Sequence, residues 1–186
     1  MSHSGVRRDT DLRMRALVLV VVLLSTAVAH AGGSVTPPKG WKREKVDPSG
    51  VAGAVLDWIG PVKAVKNAWW QMPLDEYDEH DDGWLMSLGM VATDTQRTPQ
   101  ELADAIAAEM DRTLSPTSTL VPVTAPTIKG QATAARKFEK MTTSLYLQVH
   151  AQRGKGGVHV FLVMCSATGA RDACKPTMKT IKLVAR

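Results

Sequence analysis

Cys165 and Cys174 are the only two cysteines of the chain. They bracket the loop SATGARDA. In an oxidising compartment such a pair closes a structural disulfide. A closed loop of about ten residues stabilises a fold by about 2.5–3 kcal/mol in the chain-entropy picture. A redox catalyst would instead want the tight Cys-x-x-Cys spacing, so the expectation is a staple. The acidic run Asp75-Glu76-Tyr77-Asp78-Glu79-His80-Asp81-Asp82 is the second candidate. Hard oxygen ligands in a loop suit Ca²⁺, with Asp78, His80 and Asp82 at the alternating positions. However, His80 stands where an EF-hand has a ligand oxygen, and Gly89 stands where the closing Glu belongs. The run therefore reads as a solvated loop, and no metal is expected there.

His150 and His159 form the third group. With a turn centred on Gly154 to Gly157, the two histidines fall on one face of a hairpin as diagonal neighbours. Two histidines can begin a Zn²⁺ or Cu²⁺ site, but such a site needs a third ligand. Only His80 remains beyond the leader, and no pattern places it nearby. Surface or rim histidines beside Gln148 and Gln152 are expected instead, and the same face, Tyr146, Gln148, His150, Gln152 and His159, could equally be a binding strip, with Tyr146 and Phe161 offering apolar contact. No Gly-x-Ser-x-Gly elbow, phosphate loop, His-Glu-x-x-His or Gly-x-Gly-x-x-Gly occurs. No enzyme activity and no cofactor are expected.

The elements that must position these residues begin after a targeting segment. Arg13 and Arg15 precede an apolar run from Ala16, which Ala29-His30-Ala31 closes. That is the order of a charged start, an apolar stretch and a small-x-small cleavage signal. Residues 1–31 read as a signal peptide, with Met14 as an alternative start. The apolar run is shorter than the roughly 20 residues a membrane span requires, so no stable span is expected after cleavage. A secreted or periplasmic, cell-envelope location follows. Removing Arg7, Arg8, Arg13, Arg15, Asp9 and Asp11 takes the formal charge from +5 to +3. Asp75 to Asp111 carries eleven acidic residues against Arg97, while Lys129 to Arg186 carries eleven basic ones against Glu139 and Asp172. The basic residues are dispersed and aromatics few, which argues against nucleic acid as a partner.

Residues 32–39, with Pro37-Pro38, read as a flexible leader, and 40–186 as a single α+β domain. SGVAGAVLDWIG, ending at Gly60-Pro61, suits a buried strand or a short helix, though its glycines disfavour a helix. Strands are expected over 63–72 and 84–93, flanking the acidic turn, although 62–72 also fits a helical period. In a strand, one of Trp69 and Trp70 faces the core and the other faces out. Thr98-Pro99-Gln100-Glu101 is a capping box with proline at the first helical position. Leu102, Ile106, Met110 and Leu114 give the helix it opens one apolar stripe. A short strand is expected at 119–123, a longer one over QATAARKFEKM, and then the final hairpin. That hairpin is apolar on one face. Its other face is polar near the glycine turn and apolar near Cys165, so the tail should cover the Cys165 end and leave the glycine end available.

The order of elements resembles a known fold. A Pro-Lys-Gly-Trp opening (Pro38 to Trp41) leads to early strands, a helix capped after Thr98-Pro99, an Ile128-Lys129-Gly130 strand entry, two long strands and a short terminal helix. This is similar to the PsbP-like α/β/α sandwich, over roughly residues 40–186. The resemblance implies an antiparallel sheet with helices on both faces and a binding or scaffolding role. The resulting expectation is an exported, non-catalytic domain for an unknown protein or small ligand. The alternative is a metal-binding envelope protein using the acidic turn or the His150/His159 face.

Overall fold

The computed structural model describes residues 32–45, 51–73, 82–114, 120–140, 143–168 and 173–183. Residues 1–31, expected as a targeting segment, and most of the acidic turn, including Asp78 and His80, lie outside the described residues. In chain order the elements are β1 (Gly33–Ser34), β2 (Lys42–Glu44), α1 (Val51–Ile59), β3 (Val62–Gln71), β4 (Gly83–Ala92), α2 (Pro99–Leu114), β5 (Val121–Pro122), β6 (Ala132–Lys140), β7 (Thr143–Gly154), β8 (Gly157–Thr168), α3 (Cys174–Met178) and β9 (Lys182–Leu183). The chain is thus α+β. Seven strands form one sheet in the order β2-β3-β4-β8-β7-β6-β5, and β1 pairs β9 apart from it. Every pairing is antiparallel.

The hairpin β7–β8 sets the register at the sheet's centre. Arg153 lies opposite Val158, Gln152 opposite His159 and His150 opposite Phe161. Gly156, at φ 83°, supplies the left-handed backbone that a two-residue turn needs. Side chains alternate across a strand, so the sheet divides its residues between two apolar clusters. One holds Met86, Leu88 and Met90 of β4, Leu147 and Val149 of β7, and Val160, Leu162 and Met164 of β8. Leu102, Ile106 and Met110 of α2 and Val55 of α1 belong to the same cluster. The other holds Leu85, Phe161, Val163 and Cys165, together with Val35, Cys174, Met178 and Leu183. β4 is apolar on both sides because it contributes to both clusters.

Helix α2 begins as the capping box requires. The Glu101 amide donates to Thr98 Oγ1 at 3.2 Å, and the Thr98 amide donates back to Glu101 Oε2 at 2.7 Å. The Thr98 amide, and after it the Thr98 hydroxyl donating to the same Oε2 at 2.9 Å, hold the Glu101 carboxyl below the usual carboxylate range. Replacing Thr98 with Ala removes one side of the box and is expected to cost about 1 kcal/mol. A urea melt of the variant checks this, and an unchanged midpoint counts against it.

The fold settles one open reading and corrects one expectation. The stretch 51–59 is a helix despite Gly53, because Val55 is buried and Leu56, Trp58 and Ile59 pack against the α2 cluster. Tertiary packing of an apolar stripe outweighs the propensity cost of one glycine. The stretch 32–39, expected as a flexible leader, is built into the fold. Gly33 and Ser34 pair Leu183 and Lys182, and Val35 is 2% exposed. Thr36 N–H also donates to Thr180 Oγ1 at 2.9 Å. Gly33 is pressed on the Phe161 ring so closely that a Cβ there would come within 2.3 Å of it. Only glycine fits at that approach.

Candidate functional site

The second face of β7 and β8 carries the residues expected to bind. Their burial differs from the expectation: His150 is 0% exposed and His159 8%. The glycine end of this face is therefore not left open. β1 and β9 and the segment around α3 lie over this face, with Gly32 beside both His159 and Leu183. Tyr146, Gln148 and Gln152 are half-buried. Tyr146 donates to Glu139 Oε1 at 3.1 Å, and the Lys137 ammonium sits 5.6 Å from its ring centroid. The two histidines sit on neighbouring strands of one face, His150 opposite Phe161 and His159 opposite Gln152. Among the described residues no three His, Cys, Asp or Glu side chains gather as a metal set. Asp82 is exposed, and its carbonyl accepts from Thr168 N–H at 2.7 Å.

What the structure does bring together is a groove of about 480 Å³ beside β7. Gln148 and His150 of β7 line one side. Ala125, Pro126 and Ile128, from the connection between β5 and β6, line a second. Met178, Lys179 and Ile181, from the end of α3 and the approach to β9, line a third. Thr124 completes the rim. Two of the five residues expected to bind thus reach a concave site. The Thr/Pro-rich connection and the tail carry no chemical motif, so only the three-dimensional path of the chain adds them to the site.

Polar bonds across β6 and β7 fix the ring of His150. Its Nε2–H donates to Gln148 Oε1 at 3.1 Å, and Nδ1 lies 3.5 Å from Thr133 Oγ1, which can donate to it. Burial lowers the His150 pKa to about 4, so the ring is neutral at physiological pH. Gln148 spends its carbonyl oxygen on His150, and its amide N–H groups have no acceptor among the described residues. The Lys179 side chain is exposed beside them. No carboxylate among the described residues lines the groove. The chemistry on offer is apolar walls with hydrogen-bond donors and one cation at their edge.

The disulfide Cys165–Cys174 holds one wall of the groove in place. Its Cα atoms are 5.5 Å apart, and both cysteines are 0% exposed. It ties the first residue of α3 to β8, and the last residue of α3, Met178, lines the groove. Elsewhere, Trp70 is buried and Trp69 stacks on Trp84 with centroids 4.9 Å apart.

No protein-family model matches this chain, and no curated protein matches it. Among solved structures, the chain is similar to LpqN of Mycobacterium tuberculosis, which is described as involved in cell envelope biogenesis. The two share 12% identity at a TM-score of 0.53, over 86% of this chain and 90% of LpqN. That likeness is one of fold. The PsbP-like resemblance finds no support from a family model. No helix among the described residues is long and apolar enough to cross a membrane.

Proposed function

We propose that this chain is an exported, non-catalytic domain of the cell envelope that binds a small ligand in the groove between β7, the connection from β5 to β6, and the segment after α3. The groove itself carries this reading. It has apolar walls, donors at Gln148 and Lys179, and no carboxylate among the described residues. Such a site takes a ligand with an apolar body and an acceptor group, a carboxylate or a carbonyl. Export is supported by the signal-like segment and the disulfide. A place in the envelope is supported by the likeness to LpqN. We also read the architecture as one α/β/α sandwich, because α2 packs in one cluster and α3 in the other.

Nuclear magnetic resonance titration with short aliphatic and aryl carboxylates tests the groove. The side-chain amide of Gln148 and the backbone amides around Met178 and Ile181 should shift together in a saturable way. Lys179→Glu should weaken binding roughly tenfold, about 1.4 kcal/mol. Shifts scattered over the surface, or none in the groove at millimolar probe, would count against this reading.

A further inference from the structure

The imidazole of His159 is buried with one nitrogen unanswered. Nε2 lies 3.3 Å from the Lys155 carbonyl, which can only accept, so Nε2 carries the proton. In the neutral ring Nδ1 then presents a lone pair, and it has no hydrogen-bond partner among the described residues. Buried acceptors of this kind are rarely left open in a native fold. The neighbour on that side is Gly32. A Cβ on Gly32 would sit 3.9 Å from Nδ1 and 3.7 Å from the His159 Cβ. Gly32 is also the residue that follows Ala29-His30-Ala31, the small-x-small pattern.

We infer that the Ala31–Gly32 peptide bond is the processing site, and that the ammonium released on Gly32 becomes the missing partner of His159 Nδ1. This rests on the export reading above. The step is a hydrolysis by an envelope signal peptidase. Water adds across the bond, the Ala31 carbonyl becomes a carboxylate, and the Gly32 nitrogen leaves as an ammonium. In the uncut chain this nitrogen has one N–H, whose direction the peptide plane fixes, and it makes no bond to His159. The ammonium has three N–H groups and turns freely about the N–Cα bond, so one of them can meet the lone pair. The backbone of Gly32 agrees with this order of events. Its φ of 93° lies in the left-handed region, where a side chain is strained while the chain is uncut. After cleavage no preceding carbonyl remains to define φ, and the strain has no source. Space is not the obstacle, since a Cβ at Gly32 makes only ordinary contacts of 3.5 Å or more.

The test uses the chain purified from the exported fraction. N-terminal sequencing should begin at Gly32. Selective transamination then converts the α-amine to a carbonyl and leaves the lysines intact. This should move the His159 Nδ1 nitrogen resonance and lower Tm by about 2–4 °C, the loss of one buried hydrogen bond in a domain of this size. The Gly32→Ala chain, processed to the same point, should keep the Tm of the parent. Absence of the chain from the exported fraction sinks the export reading itself, and a full-length chain in that fraction sinks the processing step. A start at another residue sinks the assigned bond. An Nδ1 resonance and Tm that ignore transamination sink the pairing with His159 even when the start is Gly32.

Discussion

Replacing Cys165 and Cys174 together with Ala should lower the melting temperature by roughly 5–12 °C. The closed loop is short, and its entropy contribution is about 2.5–3 kcal/mol. At about 2–4 °C per kcal/mol for a domain of this size, that is the expected change. The native state agrees with this figure, because both sulfurs are buried and the surrounding cluster already holds α3 in place. The bond therefore acts mainly on the unfolded chain, and the folded variant should retain its sheet. Thermal melts of the parent with and without reductant, beside the double variant, measure the effect. Equal melting temperatures in all three would overturn it. The same variant should bind groove probes more weakly, because α3 ends at Met178 on the groove wall.

Acid should destabilise the fold through His150. Its pKa is about 4 in the folded chain, against 6.5 for an unperturbed histidine, with burial as the cause. The sign follows from proton binding. Between pH 6.5 and 4 the unfolded chain holds a proton on this residue that the folded chain does not, so unfolding is favoured as pH falls. The stabilisation is fully present above pH 6.5, declines through that window and is gone below about pH 4. Its size is roughly 3 kcal/mol, since each tenfold loss of proton affinity on folding is worth about 1.4 kcal/mol. Among the described residues no carboxylate lines the groove to soften the effect by pairing with an imidazolium. Urea unfolding at several pH values from neutral down to the folded-state pKa reads the slope, and His150→Leu should remove most of it. A His150→Leu chain with the parent's slope would assign the acid sensitivity elsewhere.

Short-range signals account for most of what the sequence discloses. The capping box at Thr98 involves atoms three residues apart, and both of its bonds form. The hairpin register follows from a glycine turn and a two-residue period, and His150 does face Phe161. Cys165 and Cys174 are close in the chain and bonded. The cover over His150 and His159 was not legible, because it depends on Gly33 and Ser34 finding Leu183 and Lys182 at the other end of the chain. Two-residue strands carry no periodicity, and Pro37-Pro38 beside them suggests loose chain. The groove was half legible for the same reason. Gln148 and His150 stand out on a strand face, whereas Pro126, Ile128, Lys179 and Ile181 become neighbours only through the fold. The helix at 51–59 shows the remaining kind of miss, where a partner surface decided between two short-range options.

The pairing of β1 with β9 has a mechanical consequence. Gly33 lies opposite Leu183 and Ser34 opposite Lys182, so the outer ends of the two strands leave the fold side by side. Tension applied between an attachment at residue 32 and one beyond residue 183 would load these pairs one at a time, as a zipper is loaded. The long β7–β8 ladder would bear little of the force. This clasp would therefore open at low tension, and opening it would lift Gly33 off Phe161 and Leu183 out of its cluster while the seven-stranded sheet stays intact. A domain held at one end and pulled at the other would expose its histidine-bearing face before it unfolded.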